Sequence, residues 1–116
     1  MLTNQKILIT GATGKIAFPI ARALASGNEV WGAARLRNPT DREKLLAAGI
    51  KPLALDLSQG DLSALPTDFT YVFHSAVDPG QGDWRQCVLT NAHHSGDLLY
   101  HCRAAQGFVF CSTGSI

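Results

Sequence analysis

A chain of 116 residues, 46% hydrophobic and 16% charged, has enough apolar material for the core of one domain. Its formal net charge is +1 with acidic and basic residues interspersed, so nucleic acid finds no basic stripe to follow, and no apolar run approaches the ~18–20 residues that a membrane span needs. Cys87, Cys102 and Cys111 are an odd count at wide spacings, which fits neither a disulfide framework nor a zinc knuckle; with no secretory segment before the first strand, a soluble, cytoplasmic protein with reduced thiols is expected.

The first predicted element is Lys6-Ile7-Leu8-Ile9-Thr10, a short apolar strand that breaks at once into the turn Gly11-Ala12-Thr13-Gly14 and then, through Lys15-Ile16-Ala17, into a helix. Gly11 lets the chain turn tightly, Gly14 lets the main chain approach a phosphate with no Cβ in the way, and the helix start points N–H groups at the anion. Ala17 stands where a third glycine is usual, and its methyl group is small enough for close packing of helix on strand. Ile16, Ile20, Ala21 and Leu24 recur at the spacing of one buried helix face. Strand, glycine turn and helix in that order predict a dinucleotide diphosphate site on Gly11, Ala12, Thr13, Gly14, Lys15 and Ile16. The plainer alternative is a strand-to-helix turn with no ligand.

Ser26-Gly27-Asn28 ends this helix, and Glu29 to Ala34 reads as the second strand. After the loop Arg35 to Pro39, Thr40 or Asp41 caps a helix running to about Ala48, with Leu45 and Leu46 on its buried face and Gly49 stopping it. Lys51 to Leu55 is a third strand, with Pro52 near its start where a missing N–H is tolerable, and Asp56 at its end. Gln59 to Leu65 is a short helical or turn segment, Thr70 to His74 a fourth strand, Trp84 to Ala105 mostly helical, and Phe108 to Ser112 a fifth strand. Apolar strands separated by helices predict a Rossmann-type α/β fold, a doubly wound parallel sheet in the order 3-2-1-4-5. Ligands then gather at the carboxyl ends of the strands, near the switch between strands 1 and 4.

At the end of the second strand, an Asp or Glu would accept hydrogen bonds from a ribose diol and favour NAD. This chain has Arg35 there, about 20 residues after the glycine motif, with Arg37 close by. A guanidinium matches a phosphate in a bidentate way and stacks on adenine, so NADP is expected over NAD, against the alternative of a solvated surface arginine.

The chain resembles the short-chain dehydrogenase/reductase superfamily, in its extended, epimerase/dehydratase-like branch. The resemblance covers essentially the whole chain. It rests on Thr10-Gly11-Ala12-Thr13-Gly14-Lys15-Ile16-Ala17, on Asp56-Leu57, on Phe73-His74-Ser75-Ala76-Val77, on Asn91, and on Phe110-Cys111-Ser112-Thr113. It implies that Asp56 and Leu57 contact the adenine and that the backbone of Ser75, Ala76 and Val77 lies along the nicotinamide ribose. It further implies that Asn91 holds a water in a proton relay and that Thr113, with Ser112 beside it, polarises the substrate oxygen. The departures are Ala17 for the third glycine and His94 where the family usually has glycine.

Catalysis in that family also needs a tyrosine whose pKa is lowered by a lysine in a Tyr-x-x-x-Lys pair. Tyr71 and Tyr100 have Ser75 and Ala104 four residues on, and the pair belongs well beyond Thr113, past Ile116. The 116 residues are therefore expected to be the N-terminal, NAD(P)-binding part of a longer protein, truncated after strand 5. That parent would be an oxidoreductase or epimerase moving hydride between the nicotinamide and a carbonyl or secondary alcohol, with a nucleotide sugar among the candidate small-molecule substrates and a homodimer allowed. Two alternatives stay open: a redox sensor of the atypical branch that binds NADP without turning it over, and an inactive truncated fragment.

Apart from the resemblance, Asp56 reads equally well as a turn cap, and Asn91 as a polar residue on the solvent side of its helix. His74, inside an apolar strand, reads as a hydrogen-bonded core histidine. His93, His94 and His101 share one helix, but a metal site there would still need a carboxylate or thiol partner, so none is expected.

Overall fold

Ile7, Leu8, Ile9 and Thr10 are each no more than 2% exposed, the mark of a strand covered on both faces, and the sheet is built outward from them. A computed structural model describes residues 3–36, 38–55, 62–75 and 95–110. The strands are β1 (Lys6–Thr10), β2 (Glu29–Ala34), β3 (Lys51–Ala54), β4 (Tyr71–His74) and β5 (Gly107–Phe110). All neighbours pair in parallel in the order β3-β2-β1-β4-β5, as the alternation of strand and helix predicts. In the register around β1, Ile9 lies opposite Gly32 and Phe73, and Thr10 opposite Ala33 and His74.

The alternation of side chains divides the core in two. Ile7, Ile9 and Val30 pack with Ala12, Leu45, Ile50 and with Ala17 and Ala21 of helix α1 (Ala17–Ala25), the face also covered by α2 (Pro39–Ala47). Leu8, Ala33 and Val72 point the other way, against Leu65, Phe69 and, from helix α3 (Ser95–His101), Leu98 followed by Cys102. Each fully buried Leu, Ile or Phe contributes roughly 1.5–3 kcal/mol through area removed from water. Among the described residues no helix is long and apolar enough to cross a membrane.

Several boundaries differ from the sequence reading. Ile16, grouped with the buried face of the first helix, is 59% exposed, because α1 begins one residue later and meets the sheet through the small side chains of Ala17 and Ala21. Leu46 is 57% exposed while Leu45 is buried; neighbours on a helix are turned by about 100°, so only one of the two can face the sheet. The cap of α2 is neither Thr40 nor Asp41 but Asn38, whose side chain accepts the Thr40 N–H at 3.0 Å, with Pro39 in the first helical position, where it has no N–H to lose. Gly49 does end that turn, with a φ of 80°.

Strand β3 stops at Ala54, and Leu55 continues only by donating its N–H to Ala34 O. β5 begins at Gly107 rather than Phe108; a Cβ on Gly107 would lie 3.0 Å from the Tyr71 ring, so glycine lets the two strands close. The helix predicted to reach Ala105 ends at His101, where tight bonds from Arg103 N to Tyr100 O and Ala105 N to Cys102 O replace helical ones. Leu62 to Leu65 is a turn closed by the Leu65 N–H. The remainder of the predicted segments 59–65 and 84–105, and strand positions Cys111 and Ser112, lie outside the described residues.

Candidate functional site

Because all five strands run the same way, the residues after β1, β2 and β4 lie along one edge of the sheet, and the strand order reverses between β1 and β4. Gly11 leaves β1 with a φ of 64°, a conformation that costs glycine nothing. The Gly14 N–H closes the turn onto Gly11 O at 2.9 Å, and Phe18 N–H donates to Gly14 O at 3.0 Å. A side chain on Gly14 would lie 3.2 Å from Gly11 O, so the turn is tight as well as open to solvent. Ala12 is fully buried and its N–H donates to Ala33 O at 3.3 Å, which ties the loop to β2.

Among the described residues, no carbonyl or side chain takes up the amides of Lys15 and Ile16. The entry to α1 has no side-chain cap and no acidic residue in its first turn. Exposed N–H groups at a helix start, with the exposed Lys15 beside them, carry positive potential and unfilled donor capacity. These residues fit a diphosphate: an anion there would supply the acceptors the helix start lacks.

The ends of β1 and β4 are locked together beside this turn. Ser75 donates its N–H to Thr10 Oγ1 at 2.9 Å and its hydroxyl to Thr10 O at 2.7 Å. Thr10 Oγ1 also lies 2.6 Å from His74 Nδ1, and His74 Nε2 lies 2.8 Å from Ser95 Oγ at the start of α3. His74 is thus the core histidine its apolar strand predicts. Burial pushes its pKa down from 6.5 to about 4, so the ring is neutral at physiological pH, one nitrogen donating and the other accepting. Ser75, assigned by resemblance to the ribose end of a cofactor, is held through Thr10 to the strand that carries the glycine turn.

Arg35 is exposed and follows β2 on the same edge. The next residue, Leu36, has a φ of 52° and packs against the core cluster on the α1 and α2 side. A left-handed conformation costs a non-glycine residue roughly 1–2 kcal/mol, here countered in part by the partial burial of the leucine. The chain thereby turns at Leu36, directly after Arg35.

Gly11, Ala12, Thr13, Gly14, Lys15, Ile16, Arg35 and Ser75 therefore lie along one edge of the sheet. Arg37, Asp56, Leu57, Ala76, Val77, Asn91 and Thr113 lie outside the described residues. Two residues given no role in the sequence reading support this end of the sheet: Thr10, quoted there only within the glycine motif, which anchors Ser75, and Gly32, whose missing side chain leaves room for Ala12. A glycine inside an apolar strand is a signal of close approach by another segment, and it was there to be read. Cys102 is buried, its thiol pushed up to about 11 by burial, and His101 donates Nε2–H to Leu65 O at 2.7 Å; both are structural.

A UDP-glucuronic acid 4-epimerase from Bacillus cereus, solved in complex with NAD, is 29% identical over 96% of this chain and 41% of its own, with a TM-score of 0.76. A UDP-N-acetylglucosamine 4-epimerase from Methanobrevibacter ruminantium M1, in complex with UDP-N-acetylmuramic acid, shares the fold at 22% identity and a TM-score of 0.80, over 97% of this chain and 39% of its own. RhlG of Pseudomonas aeruginosa, in an NADP active-site complex, shares it at 22% identity and a TM-score of 0.68, over 89% and 46%. The chain spans less than half the length of each. A comparison with curated proteins gives no match. The sequence model of the NAD dependent epimerase/dehydratase family matches residues 7–116, from within β1 through every element described above. The chain belongs to the NAD dependent epimerase/dehydratase family.

Proposed function

We propose that these 116 residues are the nicotinamide-dinucleotide-binding part of a cytoplasmic oxidoreductase or epimerase that prefers NADP to NAD and acts on a small molecule, a nucleotide sugar among the candidates. The observation that carries the reading is the glycine turn at the switch between β1 and β4, with its open amides at Lys15 and Ile16. In this reading Gly11 to Ile16 hold the diphosphate, Asp56 and Leu57 the adenine, and Ser75, Ala76 and Val77 the nicotinamide ribose. Arg35 takes the 2′-phosphate. Family membership and the B. cereus relative with its NAD support a nicotinamide cofactor; Arg35, in place of a carboxylate, supports NADP.

The bound nicotinamide supplies a hydride donor or acceptor. The chain's own contribution is to bind and orient: the Thr113 hydroxyl polarises the substrate oxygen, and Asn91 holds a water in the proton relay. Calorimetric titration of the 116-residue chain with NADP and with NAD tests the reading. Tighter binding of NADP is the expected result. NAD binding at least as tightly overturns the preference, and a folded chain that binds neither overturns the function.

A further inference from the structure

We propose that Gly32, in the middle of β2, is a positioning residue for the dinucleotide loop and acts through Ala12; the inference rests on the cofactor reading above. A Cβ built on Gly32 would lie 2.9 Å from Ala12 Cβ and 2.8 Å from Ile50 Cγ2, with Leu45 Cδ1 at 3.5 Å. The first two separations are shorter than carbon atoms tolerate, so any side chain at position 32 displaces at least one neighbour.

The two neighbours yield in different ways. Ile50 is buried behind the helix stop at Gly49, with its N–H on Leu45 O, and belongs to packing between α2 and the sheet. Ala12 has only a methyl group, rigid on its own backbone. It can retreat only if the main chain between Gly11 and Gly14 moves. That stretch hangs on the bond from Ala12 N–H to Ala33 O, already long at 3.3 Å. Lifting Ala12 weakens this bond and shifts the turn that presents the Lys15 and Ile16 amides. The void at Gly32 is thus the seat of the Ala12 methyl, and it sets how deeply the loop sits on the sheet edge.

Two second-site changes separate loop position from core packing. Ala12→Gly removes the methyl that meets the new Cβ. Ile50→Leu removes the Cγ2 branch while keeping the side-chain volume. We expect Gly32→Ala to weaken NADP binding, read by calorimetry, about tenfold or more and to lower the melting temperature. With Ala12→Gly added, affinity should return to within about threefold of the Ala12→Gly single variant. With Ile50→Leu added, thermal stability should improve while affinity stays low.

In the absence of nucleotide, hydrogen exchange at the Ala12 amide should speed up in Gly32→Ala and in its Ile50→Leu double variant. If Gly32→Ala does not fold, the two double variants are compared directly. Equal affinity in both, or undiminished affinity in Gly32→Ala, overturns the role of Gly32. A wild-type chain that binds neither NADP nor NAD overturns the cofactor reading itself and this inference with it.

Discussion

The side chain of Thr10, the last residue of β1, lies 2.6 Å from the imidazole of His74, the last residue of β4, and the two face each other in the sheet register. Burial holds the ring neutral, with a pKa near 4 against 6.5 when exposed. Between those values the unfolded chain binds a proton that the folded chain refuses, so stability rises with pH across this window. The contribution is complete above about pH 6.5, is lost as the pH falls toward 4, and amounts to roughly 3 kcal/mol at most. Urea unfolding at a series of pH values should show this slope in the wild type and a shallower one in His74→Gln. Parallel slopes in the two proteins contradict the assignment.

Thr10 also holds Ser75 through two bonds, one to its hydroxyl and one to its carbonyl. Thr10→Val keeps the shape and removes the hydroxyl, leaving the Ser75 N–H and the histidine nitrogen without that partner. Loss of a partner costs a buried polar group about 1–3 kcal/mol, and less for the part-buried Ser75 N–H. Thr10→Ser keeps both bonds and should cost less than about 1.5 kcal/mol, the loss of one methyl group. Chemical denaturation of the two variants checks the order, and equal losses refute it.

At the end of β2, Arg35→Asp replaces the proposed 2′-phosphate partner with a carboxylate suited to a ribose diol. The ratio of NADP to NAD affinity should fall by about tenfold or more, mostly through weaker NADP binding. An unchanged ratio in competitive titrations removes Arg35 from the site.

Gly11→Ala forces a side chain into a φ of 64°. The strain is roughly 1–2 kcal/mol and is relieved by opening the turn, so both melting temperature and dinucleotide affinity should drop. A variant that loses stability yet binds as the wild type does would show that the turn's closed form is not what the ligand needs.

The sheet order was legible because each strand is an apolar run set off by turn residues, as at Ile7-Leu8-Ile9 before Gly11 and Val72-Phe73 before Ser75. The glycine turn, and the position of Arg35 just after β2, were legible because both follow from local sequence. What escaped is contact between segments distant in sequence: the bonds from Ser75 to Thr10, and the place of Ala12 above Gly32. Ile16 and Leu46 misled for a related reason. Periodicity says which residues share a helical face, but where the helix starts and which adjacent leucine meets the sheet are settled by packing.

The central claim is that the backbone from Gly11 to Ile16 receives the diphosphate of a nicotinamide dinucleotide. An NMR titration of the isotope-labelled chain with NADP, following each backbone amide to saturation, tests it most directly. The account predicts the largest shifts at Gly11 to Ile16, smaller ones at Arg35 and Ser75, and none at Asn4, Asn28 and Lys51, at the opposite end of the strands. Saturation that leaves residues 11–16 unmoved, or that moves the opposite edge instead, contradicts it.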